Sequence, residues 1–398
     1  MSAQRICLDH VFSEENIACA MRIMTRKDKT PGLDGMRTGE LDSFWRINRR
    51  RILSEIERGI YTPVPLRQFY IRKPGKQERR RISVCSVLDQ MLQHCIRFEM
   101  ERLFVPRFHP DSYGFIKKRN AGQALSRCLQ HMNTGQTYAV DADIRKCFDN
   151  IKHRIVISLL ERAGCDRQVV LLIEKYLKNP GVSGNSIRHN RVGLPQGSSL
   201  SPVLCNLVLN RLDWHLDRTN RKFVRYADDL VVFCSTEDEA NEARCDIEQY
   251  LTGYLSLQLN AEKTTVCPSE QLRFLSHAFI KRDRHYELAM DEKTADKMKM
   301  NLMRHIRRSS PHIGERLNRL GAFHRGWMNY YAGINAEDMG RIISDVNEIE
   351  KRRLLQESET GHTTTAAPYR EILCSTGYIT MGDWYDELKE RGIVYGKQ

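Results

Sequence analysis

Two adjacent aspartates, Asp228 and Asp229, interrupt an otherwise apolar stretch, "RYADDLVVFC" (residues 225–234). Neighbouring carboxylates repel one another and are cheapest in water, so a fold that sets them between strand-like runs must either expose them or neutralise them. One answer is a polar hairpin tip, since Asp is a common turn residue. The other is a divalent cation, which calls for hard oxygen ligands on a rigid support. The rest of the chain decides between them.

The formal charge of +13 over 398 residues biases the chain toward a polyanionic partner. Lipid and nucleic acid both qualify. No apolar run approaches the roughly 20 residues that span a bilayer, and the N-terminus "MSAQRICLDHVF" has no secretory apolar block. Nucleic acid is therefore the expected partner, with no membrane and a cytoplasmic location. The twelve cysteines are scattered without a Cys-x-x-Cys pair. Most sit in apolar segments such as "VLCNLVL", where a reduced thiol acts as a small hydrophobe.

Periodicity and turn signals sketch a mixed α and β chain. "FSEENIACAMRIMT" reads as a short amphipathic helix, followed by a loop containing Pro31-Gly32 and Asp34-Gly35. "RQFYIRKPGKQERRRISVCS" predicts two strands joined by a basic turn at Pro74 and Gly75, and Leu88 to Phe104 is helical in pattern. "QTYAVDADIRKCFDNIKH" predicts a strand running into a helix near Phe148. A long apolar-faced helix follows Pro202, a residue suited to a first helical turn. "KFVRYADDLVVFC" predicts two short strands meeting at the carboxylates. "EDEANEARCDIEQYLTGYLSLQLN" predicts a helix, then a strand alternating Leu255, Leu257 and Leu259. Lys293 to Tyr331 is helical and basic, the composition shifts after Ser344, and "QESETGHTTTAAP" reads as a linker.

Asp143 closes one predicted strand, and Asp228 and Asp229 sit at the hairpin turn. Antiparallel pairing of those elements would gather three carboxylates from distant positions. Such a cluster is unfavourable unless cations neutralise it. With two Mg²⁺ ions it would suit in-line phosphoryl transfer, one ion activating a hydroxyl and the other stabilising a pyrophosphate leaving group.

The motifs "TPGLDG", "YIRKPGKQERRRIS", "SYGF", "DIRKCFDNI", "GLPQGSSLSP", "YADD", "LNAEKT", "FLSHAF" and "RGWMNYYAGI" follow one another in an order that resembles reverse transcriptases of the bacterial group II intron-like class. The resemblance implies an α+β right-hand polymerase fold with fingers, an antiparallel-sheet palm and a helical thumb. It divides the chain into an N-terminal extension (1–60), fingers with palm elements (61–140), palm (141–285), thumb (286–345) and C-terminal tail (346–398). It implies that Asp143, Asp228 and Asp229 are catalytic and bind two Mg²⁺, for which Mn²⁺ could substitute, with the backbone carbonyl of Ile144 as a further ligand. Asp141 and Asp149 are rivals near the first position. Asp143 is preferred because the family's aromatic gate lies five residues on, at Phe148, with Asp149 capping or orienting the next helix. Taken alone Phe148 reads first as core, but its register with Asp143 reverses that, and it would then exclude a ribose 2′-hydroxyl. Lys73 and Arg80 match residues that close over the triphosphate, where arginine grips phosphate bidentately and lysine acts as a compact charge. Read without the family, Arg72, Lys73 and Arg80 are a solvated basic turn. Gln196 and Gly197 match a nucleotide-binding loop, and Lys263 a proton donor to pyrophosphate. Tyr226, Ala227, Phe274 and Leu275 match primer contacts, with Ser276 where the family often has glycine. Arg304, Arg307 and Arg308 are candidate contacts to the template and primer.

By the resemblance the partners are an RNA template, dNTPs and a cDNA product. The segment after "RGWMNYYAGI" is short and lacks the clustered cysteines of an intron-type endonuclease, and "RRRISVCSVLDQ" departs from the intron-type "RPLGIP". These departures point to a stand-alone enzyme in antiphage defence with a dedicated structured noncoding RNA. The alternatives are an endonuclease-lacking intron-encoded maturase, and an RNA-binding splicing cofactor whose polymerase site is idle.

Overall fold

The computed structural model describes residues 5–26, 28–72, 79–307, 313–359 and 380–391. The chain forms two compact units, Met1–Asn120 with Val140–Val266, and Ala121–Ala139 with Cys267–Gln398.

The first stretch of strands comprises β1 (Leu66–Arg72), β2 (Arg79–Val84), β3 (Tyr138–Asp143), β4 (Gly181–Ser183), β5 (Ser186–Arg188), β6 (Lys222–Tyr226), β7 (Asp229–Cys234) and β8 (Thr265–Pro268). They make two four-stranded sheets, ordered β2-β1-β4-β5 and β6-β7-β3-β8. β1 and β2 are the expected hairpin, paired from Arg67 opposite Val84 to Arg72 opposite Arg79. The turn between them, with Pro74 and Gly75, lies outside the described residues. β7 is buried from Leu230 to Cys234, the continuous apolar run of a strand covered on both faces. β6 pairs with it antiparallel, Tyr226 opposite Asp229.

Local chemistry sets the helix starts. Ser13 caps Glu14–Thr25, and Ser86 caps Val87–Phe104 by accepting from the Asp89 amide at 3.0 Å. Pro202 sits in the first turn of Ser201–Arg218, which buries Val203, Leu204, Val208, Leu209, Leu212 and Leu216. The run after helix Glu237–Tyr250 departs from expectation. Leu251–Leu255 continues as a π-helical turn that Ser256 ends in the left-handed region at φ 52°. Leu255, Leu257 and Leu259 are all buried, so the alternation is real. No ladder forms there, only a single bridge from Leu259 to Ile144.

The second unit contains helix Ala121–Asn133 and a sheet ordered β11-β10-β9, where β9 is Arg273–Phe274, β10 is His277–Arg282 and β11 is His285–Met290. Helices Glu292–Arg307 and Ile313–Tyr331 occupy the basic segment. Helix Ala336–Glu359 runs straight through Ser344 because Ile342 and Val346 keep an apolar face buried on either side of it. The expected linker is thus helical as far as Glu359, and its remainder lies outside the described residues. Part of the expected tail is a helix, Met381–Glu390, opened by a Thr380–Asp383 capping box and burying Met381, Tyr385 and Leu388. No described helix is long and apolar enough to cross a membrane.

Candidate active site

The hairpin turn between β6 and β7 presents Asp228 and Asp229, and β3, the sheet neighbour of β7, ends in Asp143. Asp141 lies two residues earlier on β3 and so shares a face with Asp143. Burial pushes the Asp229 carboxyl up to about 6, and the charges of Asp228 and Asp143 add to it. Asp141 is also pushed to about 6, by burial and then by Asp229 and Asp143. Asp228 is raised by burial and by Asp143, against the opposing pull of its own backbone amide, Arg80 and Arg225. Each carboxylate thus makes its neighbours harder to ionise. The cation alternative posed by the sequence gains from this clustering, because a solvated hairpin tip needs no second strand of acids.

The turn hangs from an internal charge. Arg225 is fully buried. It clasps Asp213 with two hydrogen bonds, Nε to Oδ1 at 2.7 Å and Nη2 to Oδ2 at 2.6 Å. Its Nη1 donates to Asn206 Oδ1 at 2.9 Å and to the Ala227 carbonyl at 2.6 Å. Beneath the turn passes the "SYGF" loop. The Tyr113 amide donates to the Arg225 carbonyl at 2.8 Å, and Asn206 Nδ2 donates to the Gly114 carbonyl at 2.8 Å. A Cβ on Gly114 would stand 2.1 Å from the Ala227 nitrogen, so only glycine permits the approach. Ala227 itself is left-handed at φ 59°.

Asp143 is clamped by the "LNAEKT" turn. Lys263 Nζ lies 2.9 Å from Asp143 Oδ1, and Asn260 Nδ2 donates to Oδ2 at 3.1 Å. The Asn260 amide donates to the Asp143 carbonyl at 2.8 Å, and the Asp143 amide to Thr264 Oγ1 at 3.2 Å. Arg145 N donates to Gln258 O at 2.9 Å. These bonds flank the Ile144–Leu259 bridge, so the carbonyl of Ile144 takes no part in it.

The other sequence candidates fall around this core. Phe148, half-buried, meets the exposed ring of Phe115 edge to face with centroids 6.5 Å apart. The carbonyl of Gln196 accepts from the Ser83 amide at 2.8 Å. Gly197, at φ 116°, packs so close to β2 that a Cβ would meet the Ser83 oxygen at 2.2 Å. Arg80 stands exposed on β2, and its charge reaches Asp228. Asp149 points to Arg81 at 3.8 Å and does not cap the next helix, whose N-cap residue is Lys152. Lys73 lies outside the described residues.

In the second unit, Leu275 and Ser276 both adopt left-handed backbone, at φ 49° and 60°. This explains glycine's preference at the Ser276 position. Tyr330 Oη donates to the Leu275 carbonyl at 3.0 Å, and His277 Nδ1 lies 2.8 Å from the same oxygen. Phe274 is buried. Arg304 is exposed on helix Glu292–Arg307, which Arg307 ends, and Arg308 lies outside the described residues.

Sequence reasoning missed Arg225, Asp213, Asn206, Gly114, Asn260 and Thr264. All lie within or beside motifs that it quoted, but their signal is a partner elsewhere in the chain. The all-oxygen donor set fits a hard divalent cation. Among the described residues, no three His, Cys, Asp or Glu side chains are grouped closely enough to hold one metal ion, and Asp143 turns both oxygens toward Asn260 and Lys263.

Residues 71–279 match the family described as "Reverse transcriptase (RNA-dependent DNA polymerase)". The chain is similar to Protein YkfC of Escherichia coli (strain K12), 26% identical over 311 residues, covering 68% of this chain and 81% of that protein. It is also similar to the group II intron-encoded protein LtrA of Lactococcus lactis, 30% identical over 198 residues, covering 50% of this chain and 33% of LtrA. The chain thus spans about a third of LtrA's length. In overall fold it is similar to telomerase from Candida albicans, solved in complex with a fragment of telomeric RNA. That match has a TM-score of 0.58 at 11% identity and covers 89% of this chain and 63% of that one.

Proposed function

The chain belongs to the reverse transcriptase family of RNA-dependent DNA polymerases, and from that membership we propose that it copies a structured noncoding RNA into cDNA by two-metal nucleotidyl transfer, in the cytoplasm, as part of bacterial antiphage defence. The observation that carries the chemistry is the elevation of Asp141, Asp228 and Asp229 by burial and by one another's charge and that of Asp143, around one hairpin turn. Asp143, Asp228, Asp229 and the Ile144 carbonyl are the residues to hold Mg²⁺ or Mn²⁺, which would supply activation of the primer hydroxyl and charge for the departing pyrophosphate. Around them the chain's own groups have separate tasks. Arg80, with Lys73, grips the triphosphate. Phe148 excludes the 2′-hydroxyl, and Gln196 and Gly197 shape the nucleotide floor. Lys263 donates a proton to pyrophosphate. Tyr226 and Ala227 in the first unit are candidate primer contacts, as are Phe274 and Leu275 in the second, and Arg304, Arg307 and Arg308 are candidate contacts to backbone phosphates. In this reading the fingers are 61–140, the palm 141–285 and the thumb 286–345.

The defence setting rests on the departure of "RRRISVCSVLDQ" from intron-type wording. A second reading, an intron-encoded maturase, is favoured by the 30% identity to LtrA. Sequencing the RNA and cDNA that co-purify with the protein separates them. A short RNA encoded beside the gene, with its complementary DNA, is the expected result. Recovery of ribozyme-like intron RNA would favour the second reading.

A further inference from the structure

Asp143 differs from the other acids of the cluster in that both its oxygens are engaged. Oδ1 meets Lys263 Nζ at 2.9 Å, and Oδ2 accepts from Asn260 Nδ2 at 3.1 Å. Among the described residues, Lys263 is the only cation within ion-pair distance of Asp141, Asp143, Asp228 or Asp229. The contact is built by the chain. The turn is closed by the amides of Lys263 and Thr264 donating to the Asn260 carbonyl at 3.1 and 2.8 Å. Asn260 Oδ1 accepts from the Glu262 amide at 3.2 Å, which aims Nδ2 at the carboxylate. The Asn260 amide bonding to the Asp143 carbonyl, and the Asp143 amide bonding to the Thr264 hydroxyl, then fix the turn against Asp143 on both sides.

We infer that Lys263 is a tethered counter-ion that competes with the divalent cation for Asp143. Resting on the metal-site reading above, this makes the lysine a latch. Its ammonium offsets part of the repulsion among the acids, and a doubly charged ion that prefers oxygen ligands offsets more. The pair is half-exposed, with side-chain exposures of 54% and 31%, so it is weak enough to exchange. Exchange couples two events. Only when the cation takes Asp143 does the ammonium swing free toward an incoming phosphate, so a charged proton donor is delivered at the moment the site is loaded.

The test is calorimetric titration of Mn²⁺ into the full-length protein without nucleic acid. Lys263→Gln should tighten Mn²⁺ binding by about two- to fivefold, the worth of a half-exposed ion pair, while DNA synthesis falls. A lysine whose role is confined to the triphosphate would lose synthesis without any change in Mn²⁺ affinity. Lys263→Arg should keep the wild-type affinity. In an Asp143→Asn background the gain should vanish, as for any pair that interacts directly. Unchanged or weaker Mn²⁺ binding in Lys263→Gln overturns the latch, as does a gain that survives Asp143→Asn. If the wild type binds no Mn²⁺ that a combined Asp228→Ala, Asp229→Ala variant loses, the metal-site reading falls and the latch with it.

Discussion

The guanidinium of Arg225 donates a 2.6 Å hydrogen bond to the carbonyl of Ala227, the residue immediately before the paired aspartates. A partly buried acidic turn is thereby fastened to a fully buried cation, which is itself neutralised by Asp213 at 2.6 Å. The position of Asp228 is set from inside the unit, through a charge no solvent reaches.

Replacing Arg225 with Met leaves Asp213 buried and unpaired, which should cost about 3–5 kcal/mol in urea unfolding. Adding Asp213→Leu should restore most of that stability, because an apolar pair can replace a buried ion pair. DNA synthesis should stay low in the double variant, since nothing then holds the Ala227 carbonyl. Recovery of synthesis would show that the turn keeps its geometry unaided.

Gly114→Ala should force the "SYGF" loop and the acidic turn apart, since the new Cβ would lie 2.1 Å from Ala227 N and 2.8 Å from the Tyr226 carbonyl carbon. A displacement of about 1 Å near reacting groups can cost about a hundredfold in rate, and primer extension should show a loss of that order. Gly39→Ala, which meets nothing within 4 Å, is the control.

Asp228→Ala with Asp229→Ala should abolish DNA synthesis while RNA binding persists. In the proposed reading the carboxylates serve the metals, whereas RNA affinity would come mainly from Lys and Arg contacts to phosphate and weaken with salt. Filter binding across a salt series, alongside primer extension, reads both. Undiminished synthesis would overturn the assignment of the site.

Phe148→Ala should admit ribonucleotides, lowering sugar discrimination by about a hundredfold, or about 2.7 kcal/mol. Phe115→Ala removes the ring that meets Phe148 edge to face and should lower discrimination less. Matched dNTP and rNTP extension series on folded protein give the ratio. Unchanged selectivity in Phe148→Ala would return that residue to a packing role.

The raised carboxyls give stability a definite pH slope. Asp141 and Asp229 titrate near 6 in the folded chain, against an ordinary 3.8. The folded state therefore holds protons that the unfolded chain has released, and stability falls as pH rises from about 4 to 6 and levels above that. In chelator, melting scans should show a loss of about 1 kcal/mol across that window, discounted for partial exposure. Asp229→Asn should flatten the slope, and Mg²⁺ at pH 7 should recover part of the loss.

Much of this was legible before the structure. The β6–β7 hairpin shows as two short apolar runs around an acidic turn, and Pro202 marks its helix start because ring and backbone agree there. Leu255, Leu257 and Leu259 misled because alternation reports which side chains are buried and says nothing of whether a partner strand is present. Ser344 misled because composition changes on a helix's exposed face while its buried face continues. Arg225 could not be read as the keystone, since an arginine in a strand shows no trace of Asp213 twelve residues earlier. The clamp on Asp143 was hidden for the same reason, its parts lying far along the chain.

That distance has a consequence for biosynthesis. Asp143 is separated from Asn260 by 117 residues and from Lys263 by 120. During translation the strand bearing Asp143 leaves the ribosome long before the turn that clamps it. Closing so long a loop costs entropy that only the finished contacts repay. A nascent chain truncated anywhere before Asn260 carries its acids without their counter-ion and without the amide that orients Asp143. Completion of the clamp on Asp143 is thus timed by the synthesis of a five-residue turn, Asn260 to Thr264, late in the chain.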